Sequence, residues 1–227
     1  MTNTQSIGAH ILAALRQNLW PGLILQVFAC AILLIYFFVP SVQPFYGWFS
    51  AQKNHYGFGY SFLATALFGG CIPFIYLWRS KRLAHARNPL GLLIFYSVFW
   101  GLKGMEVDYF YRWQSVWFGT GHDVSTLAAK VAVDQFIYSA LWAAPSITLS
   151  YLWMEHGYSF SATWRALNRH FLFTTLPTVV LSNWLVWIPA VSIVYSMPED
   201  LQIPLFNLVL CFWVLILAVL NKSERGA

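Results

Sequence analysis

Charge is what this sequence has least of. Only 9% of its 227 residues are Asp, Glu, Lys or Arg, where a soluble domain carries about a quarter. That shortage excludes an ordinary water-soluble domain. Cysteine is also sparse: Cys30, Cys71 and Cys211 stand singly inside apolar runs, with no CxxC pair and no histidine partner. They read as small core residues, so neither a disulfide framework nor a metal site is expected. The sequence has no GxSxG nucleophile, no HExxH helix and no clustered histidine boxes. The constellations of an enzyme are therefore missing, and neither catalysis nor a cofactor is expected. Asp108 and Asp134 would act as an acid dyad only if they lay within a few ångströms, and nothing in their spacing requires that. A cleavable leader is not expected either, because the first apolar run ends in VPSVQPFYG, without a small-x-small site.

What the chain has is hydrocarbon, 59% hydrophobic residues and 19% aromatic ones. A helix needs about 20 apolar residues to cross a bilayer. The run LILQVFACAILLIYFFV is apolar on every face, whereas a barrel strand would alternate. The fold class that follows is all-α, a polytopic transmembrane helix bundle of about six helices, forming one integral membrane domain over 1–227. The expected spans run from Trp20 to Val39, from Tyr60 to Trp78, from Pro89 past Trp100, and from an N-cap at Ser125 or Thr126 to Trp153. A fifth includes RALNRHFLFTTLPTVVL, and a sixth covers Ile203 to Leu220.

Charge placement orients these spans. With the N-terminus in the cytoplasm, the inner segments hold Arg16, Arg79, Lys81, Arg82, Arg87, Arg165, Arg169, Lys222 and Arg225. The outer ones hold Lys53, Lys103, Arg112 and Lys130, nine against four. Basic residues concentrate on the cytoplasmic side of membrane proteins, so both termini are expected inside. The net charge of +5 points to anionic lipid rather than nucleic acid, with Arg79, Lys81, Arg82 and Arg87 at the headgroups. Trp20, Trp78, Trp153 and Trp164 fall at the inner span ends, and Trp48, Trp117, Trp184 and Trp187 at the outer ends, as an aromatic belt would. Ala66 with Gly70, and Ala140 with Ala144, have the spacing that lets helices approach closely.

Polar residues gather in three places. Lys103 with Glu106, and Asp108 with Arg112, are spaced to pair along one helix face; they read either as a solvated helix end or as Arg112 turned into a polar cavity. In KVAVDQF, Asp134 and Gln135 lie roughly 11 Å into their helix, counted from Leu127 at about 1.5 Å per residue. Charged groups at such depth face a bundle interior or a wet cavity. Asp134 is read as a brace paired with Lys130 or Arg112, as pore lining, or as both. In NWLVWIPAVSIVYSMPEDLQIP, Pro189, Pro198 and Pro204 argue against one regular helix, and a re-entrant or interfacial stretch is expected.

These elements, taken in order, resemble the Mpv-seventeen/peroxisomal membrane protein family. Phe110, Tyr111 and Arg112 match its Trp-Tyr-basic element, and Lys130, Asp134 and Gln135 its Lys…Asp-Gln helix. Asn183, Trp184, Trp187, Pro189 and Pro198 match its Asn-Trp…Trp-Pro and later Val-Pro, with Trp213 in the last span. The likeness covers roughly residues 100–220. It departs at Ile188, inserted between Trp187 and Pro189, and the early Gly-Asp element of the family is absent. The resemblance implies a mitochondrial inner or peroxisomal membrane, or the inner membrane of a bacterium, and a channel for small solutes. The expected function is a weakly selective channel or pore lined or braced by Asp134, Gln135, Arg112 and Lys130. The alternative is a non-transporting protein that binds lipid or a partner protein. An oligomer is compatible with either.

Overall fold

A computed structural model of the chain describes residues 7–83 and 88–220. Among these residues every regular element is helical. In chain order they are α1 (Ile7–Phe38), α2 (Gln43–Tyr56), α3 (Phe58–Arg79), α4 (Pro89–Phe118), α5 (124–155), α6 (Phe160–Ala166), α7 (Phe171–Tyr195) and α8 (Glu199–Leu220). Five of them (α1, α3, α4, α7 and α8) are long and apolar enough to cross a membrane. The chain is thus a multi-pass membrane protein with an all-α bundle. α5 is as long as these, but Asp134, Gln135 and its serines leave it less apolar.

Local chemistry sets the boundaries. Asn88 caps α4 by accepting from the Gly91 N–H at 2.9 Å, with Pro89 in the first turn where no N–H is needed. Asp123, not Ser125 or Thr126, caps α5, accepting from the Thr126 N–H at 3.0 Å. Bonds from Ser125 and Thr126 hold the Asp123 carboxyl well below its usual range. Gly57 joins α2 to α3 with φ of 53°, a left-handed conformation that side-chain-bearing residues adopt at a cost.

Prolines shape three helices from within. A widened, π-type turn precedes each of Pro73, Pro145 and Pro177, at 66–71, 133–143 and 171–175. Proline donates no N–H and crowds the carbonyl four residues back. Widening lets a later N–H reach the stranded carbonyls, which lipid could not satisfy.

The stretch 183–204 is not re-entrant. Its first part continues α7 to Tyr195 with Pro189 inside, and its last part opens α8 with Pro204 inside. Only the short turn ending at Pro198 is irregular. The segment after Val39 turns at Pro40–Val42 and is helical again from Gln43. It forms α2, tied back by Tyr46 Oη to the Ile32 carbonyl at 3.1 Å and by Gln43 Nε2 to the Tyr36 carbonyl at 2.6 Å. The break at Leu167 and Asn168 separates α6 from α7, so RALNRHFLFTTLPTVVL is not one helix.

α8 is the most enclosed of the spans, burying Leu201, Ile203, Leu205, Val209 and Leu210. α1 packs along α7 through Leu25, Ala29, Val186 and Ala190, all fully buried. α3 lies against α4, and here small residues decide the distance. A Cβ on Gly70 would come within 2.8 Å of the Tyr96 carbonyl oxygen, and one on Gly104 within 2.2 Å of Thr65 Oγ1. In lipid the association of helices rests on such close packing.

Gly104→Ala is therefore expected to destabilise the protein by about 1–3 kcal/mol through overpacking. Gly47→Ala, with nothing within 4 Å of the added carbon, should be neutral or slightly stabilising. Thermal unfolding in detergent compares the two.

Candidate functional site

Asp134 is 4% exposed and lies at the start of the widened turn of α5. Its two oxygens are held by neutral donors. Tyr195 Oη of α7 donates to Oδ2 at 2.6 Å, and the neighbouring Gln135 Nε2 donates to Oδ1 at 2.7 Å. Gln114 of α4 donates to the Tyr195 hydroxyl at 3.3 Å and to the Lys130 carbonyl at 2.9 Å. The hydroxyl thus accepts from Gln114 and gives its own proton to Asp134. Trp184 Nε1 donates to the Gln135 carbonyl at 2.8 Å, and Asn183 Nδ2 to Ser139 Oγ at 2.8 Å. One polar network joins α4, α5 and α7.

Beside it lies a cavity of about 290 Å³ bounded by α4, α5, α7 and α8. Asp134, Gln135, Ser139 and Asn183 supply its polar wall; Tyr111, Trp187 and Trp213 are among its aromatic ones. Within the network Gln135 Oε1 and Gln114 Oε1 are buried without a hydrogen-bond partner. Lys103 also reaches the cavity, but its ammonium is taken up by Glu106 Oε1 and Oε2 at 2.9 and 3.0 Å and by Ser146 Oγ at 2.7 Å. Glu106 also accepts from Tyr138 Oη at 2.6 Å and Trp142 Nε1 at 3.0 Å. These long side chains bridge α4 to α5 along one wall.

Two of the expected site residues lie elsewhere. Arg112 does not enter the cavity: its side chain is 53% exposed, pairs with Asp108 at 3.2 Å and lies over the Phe58 ring at 4.5 Å. Lys130 is buried, yet it does not pair with Asp134. Tyr195 stands between them, giving its hydroxyl to the carboxylate and its ring face to the ammonium at 5.9 Å. Among the described residues no basic group approaches Asp134 within 4.0 Å.

A second cluster was unexpected. Lys53 of α2 is 5% exposed and pairs at 2.7 Å with Asp108, which also accepts from Ser61 at 2.6 Å. The pairing of Asp108 with Arg112 is present, but as the rim of a buried ion pair rather than a solvated helix end. Lys53, Lys103 and Lys130, placed by sequence at an outer surface, are all buried.

Of the other residues singled out, Phe110 stacks on Tyr138 with ring centroids 4.2 Å apart. Trp187 packs near Phe206 at 5.7 Å, so it and Trp184 face the bundle instead of forming a belt. Trp20, Trp48, Trp78, Trp117 and Trp164 are exposed on the bundle surface. Arg79 and Lys81 are exposed, and Arg82 is partly covered; Arg87, Lys222 and Arg225 lie outside the described residues. Tyr195 and Gln114 escaped the sequence reading, although a buried tyrosine hydroxyl or amide inside a span needs a polar partner. Comparison with family models, with curated proteins and with solved structures finds no match to this chain.

Breaking the Lys53–Asp108 pair from one side strands the other charge. Asp108→Ala is expected to cost about 3–5 kcal/mol, and combining it with Lys53→Met should recover a large part of that. A double-mutant cycle on unfolding in detergent reads the difference.

Proposed function

We propose that the protein passes or carries small solutes across its membrane, with the cavity beside Asp134 and Gln135 as the central chamber of the path. The observation that carries this reading is the cavity itself: about 290 Å³, bounded by four helices and partly open at its edge, with polar residues Asp134, Gln135, Ser139 and Asn183 in a mostly apolar wall. Polar and ionisable groups inside a membrane bundle characteristically mark solute and ion pathways. The convergence of Tyr111, Asp134, Gln135, Asn183, Trp187 and Trp213 on this one chamber agrees with the resemblance to the Mpv-seventeen/peroxisomal membrane protein family, which supports the same reading.

A surface role in binding lipid is a second reading, favoured by Trp78, Arg79 and Lys81, which stand exposed together at the end of α3. It concerns a different face of the molecule and does not use the cavity.

Purified protein in planar bilayers and in solute-loaded proteoliposomes is expected to give currents or solute release. Ala143→Phe, which fills the chamber from its lining, should sharply lower both while the protein still purifies as a folded species. Wild-type protein that passes neither current nor solute over a wide voltage range would refute the reading.

A further inference from the structure

The cavity has a charge pattern that narrows its ligand. Lys103 and Glu106 neutralise each other at its wall, and the Lys103 ammonium already faces three acceptor oxygens, two of Glu106 and one of Ser146. Asp134 has no such counter-ion: both of its contacts are neutral donors. Because the Tyr195 hydroxyl is occupied as an acceptor by Gln114, its proton goes to Asp134 Oδ2, which serves as an acceptor. Next to this carboxylate, Gln135 Oε1 is an acceptor with no donor; the side chain is 2% exposed, and its amide nitrogen is fixed toward Asp134. Its orientation is set, since an acceptor-only carboxylate requires the NH₂ side of the amide.

An uncompensated carboxylate calls for a ligand that donates hydrogen bonds and carries positive charge. The remaining walls mix aliphatic residues such as Ile147, Val191 and Leu210 with aromatic ones, including Tyr111, Tyr138, Trp187 and Trp213, and ring faces attract weakly hydrated cations. Calcium or magnesium would need six or more oxygen ligands. Asp134 is the one carboxylate lining the cavity, and no cluster of three potential metal ligands occurs among the described residues.

We infer that the cavity takes a small organic ammonium ion, its N–H groups held by the Asp134 carboxylate and its charge set against the aromatic part of the wall. This rests on the solute-chamber reading above for the role of the cavity, and adds the class of solute.

The test is calorimetric titration of purified protein in nanodiscs with phenethylammonium, phenethyl alcohol and phenylacetate, with empty nanodiscs subtracted. These probes share a ring and differ in charge. Wild type is expected to bind the ammonium roughly tenfold or more tighter than the alcohol, the scale of a charge-assisted bond plus a cation–π contact, and to exclude the carboxylate. Asp134→Asn, which keeps an acceptor for Tyr195, should bring ammonium and alcohol close to parity. Equal binding of all three probes by wild type, or none above empty nanodiscs, overturns the inference without reliance on any variant. So does an Asp134→Asn protein that keeps the preference. A wild type that releases solute but shows no ammonium preference leaves the chamber and removes the solute class. Ammonium preference in a protein that passes nothing does the reverse.

Discussion

The hydrogen bond from the Tyr195 hydroxyl to Asp134 is the contact on which the interior of this bundle depends. In an apolar solvent each buried polar group must find its partner inside the protein. Asp134 finds one on its own helix and one on α7, and the α7 partner is itself held by Gln114 of α4. Three helices are thereby fixed in register around a carboxylate that would otherwise be costly at that depth. Trp184 and Asn183 extend the same logic along α7, returning their N–H groups to Gln135 and Ser139 of α5. The apolar faces alone would not fix this arrangement, because lipid is as good a partner for leucine as another helix is.

Proline supplies the second constraint. Pro145 lies one turn beyond the network, and the widened turn it imposes on α5 runs from Val133 to Ala143, taking in Asp134, Gln135 and Ser139. Wider turns direct side chains differently from an α-helix, and such segments are frequent at functional sites. Here the backbone adjustment has a plain cause in a missing N–H, and its consequence is that three polar residues of α5 meet one cavity.

Much of this was legible in the chain. Low charge and long apolar runs identified the helical membrane bundle, and the polarity of Asp134 and Gln135 identified an interior position. What could not be read was partnership. Spacing made Lys130 the natural mate of Asp134, but spacing along one helix cannot register that Tyr195, sixty-one residues away in sequence, interposes from another. The same limit hid Lys53, which sequence places in a polar connection and tertiary structure buries against Asp108. Proline was over-read: a soluble helix seldom admits Pro189 or Pro204, whereas membrane helices tolerate such residues because neighbouring groups re-satisfy the backbone.

The two buried clusters differ in a way that separates brace from site. Around Asp108, Lys53 and Arg112 supply two cations to one carboxylate, and Ser61 adds a third donor. That cluster is saturated and fastens α2 to α3 and α4. Around Asp134 the donors are neutral, one amide oxygen is left over, and open volume adjoins. A structural ion pair is stable only when its charges are matched within the protein. Asp134 also ties α5 to α7 through Tyr195, but its charge is left unmatched by any cation within the protein. It is therefore both a brace and a receptor, whereas Asp108, matched by Lys53 and Arg112, is a brace alone.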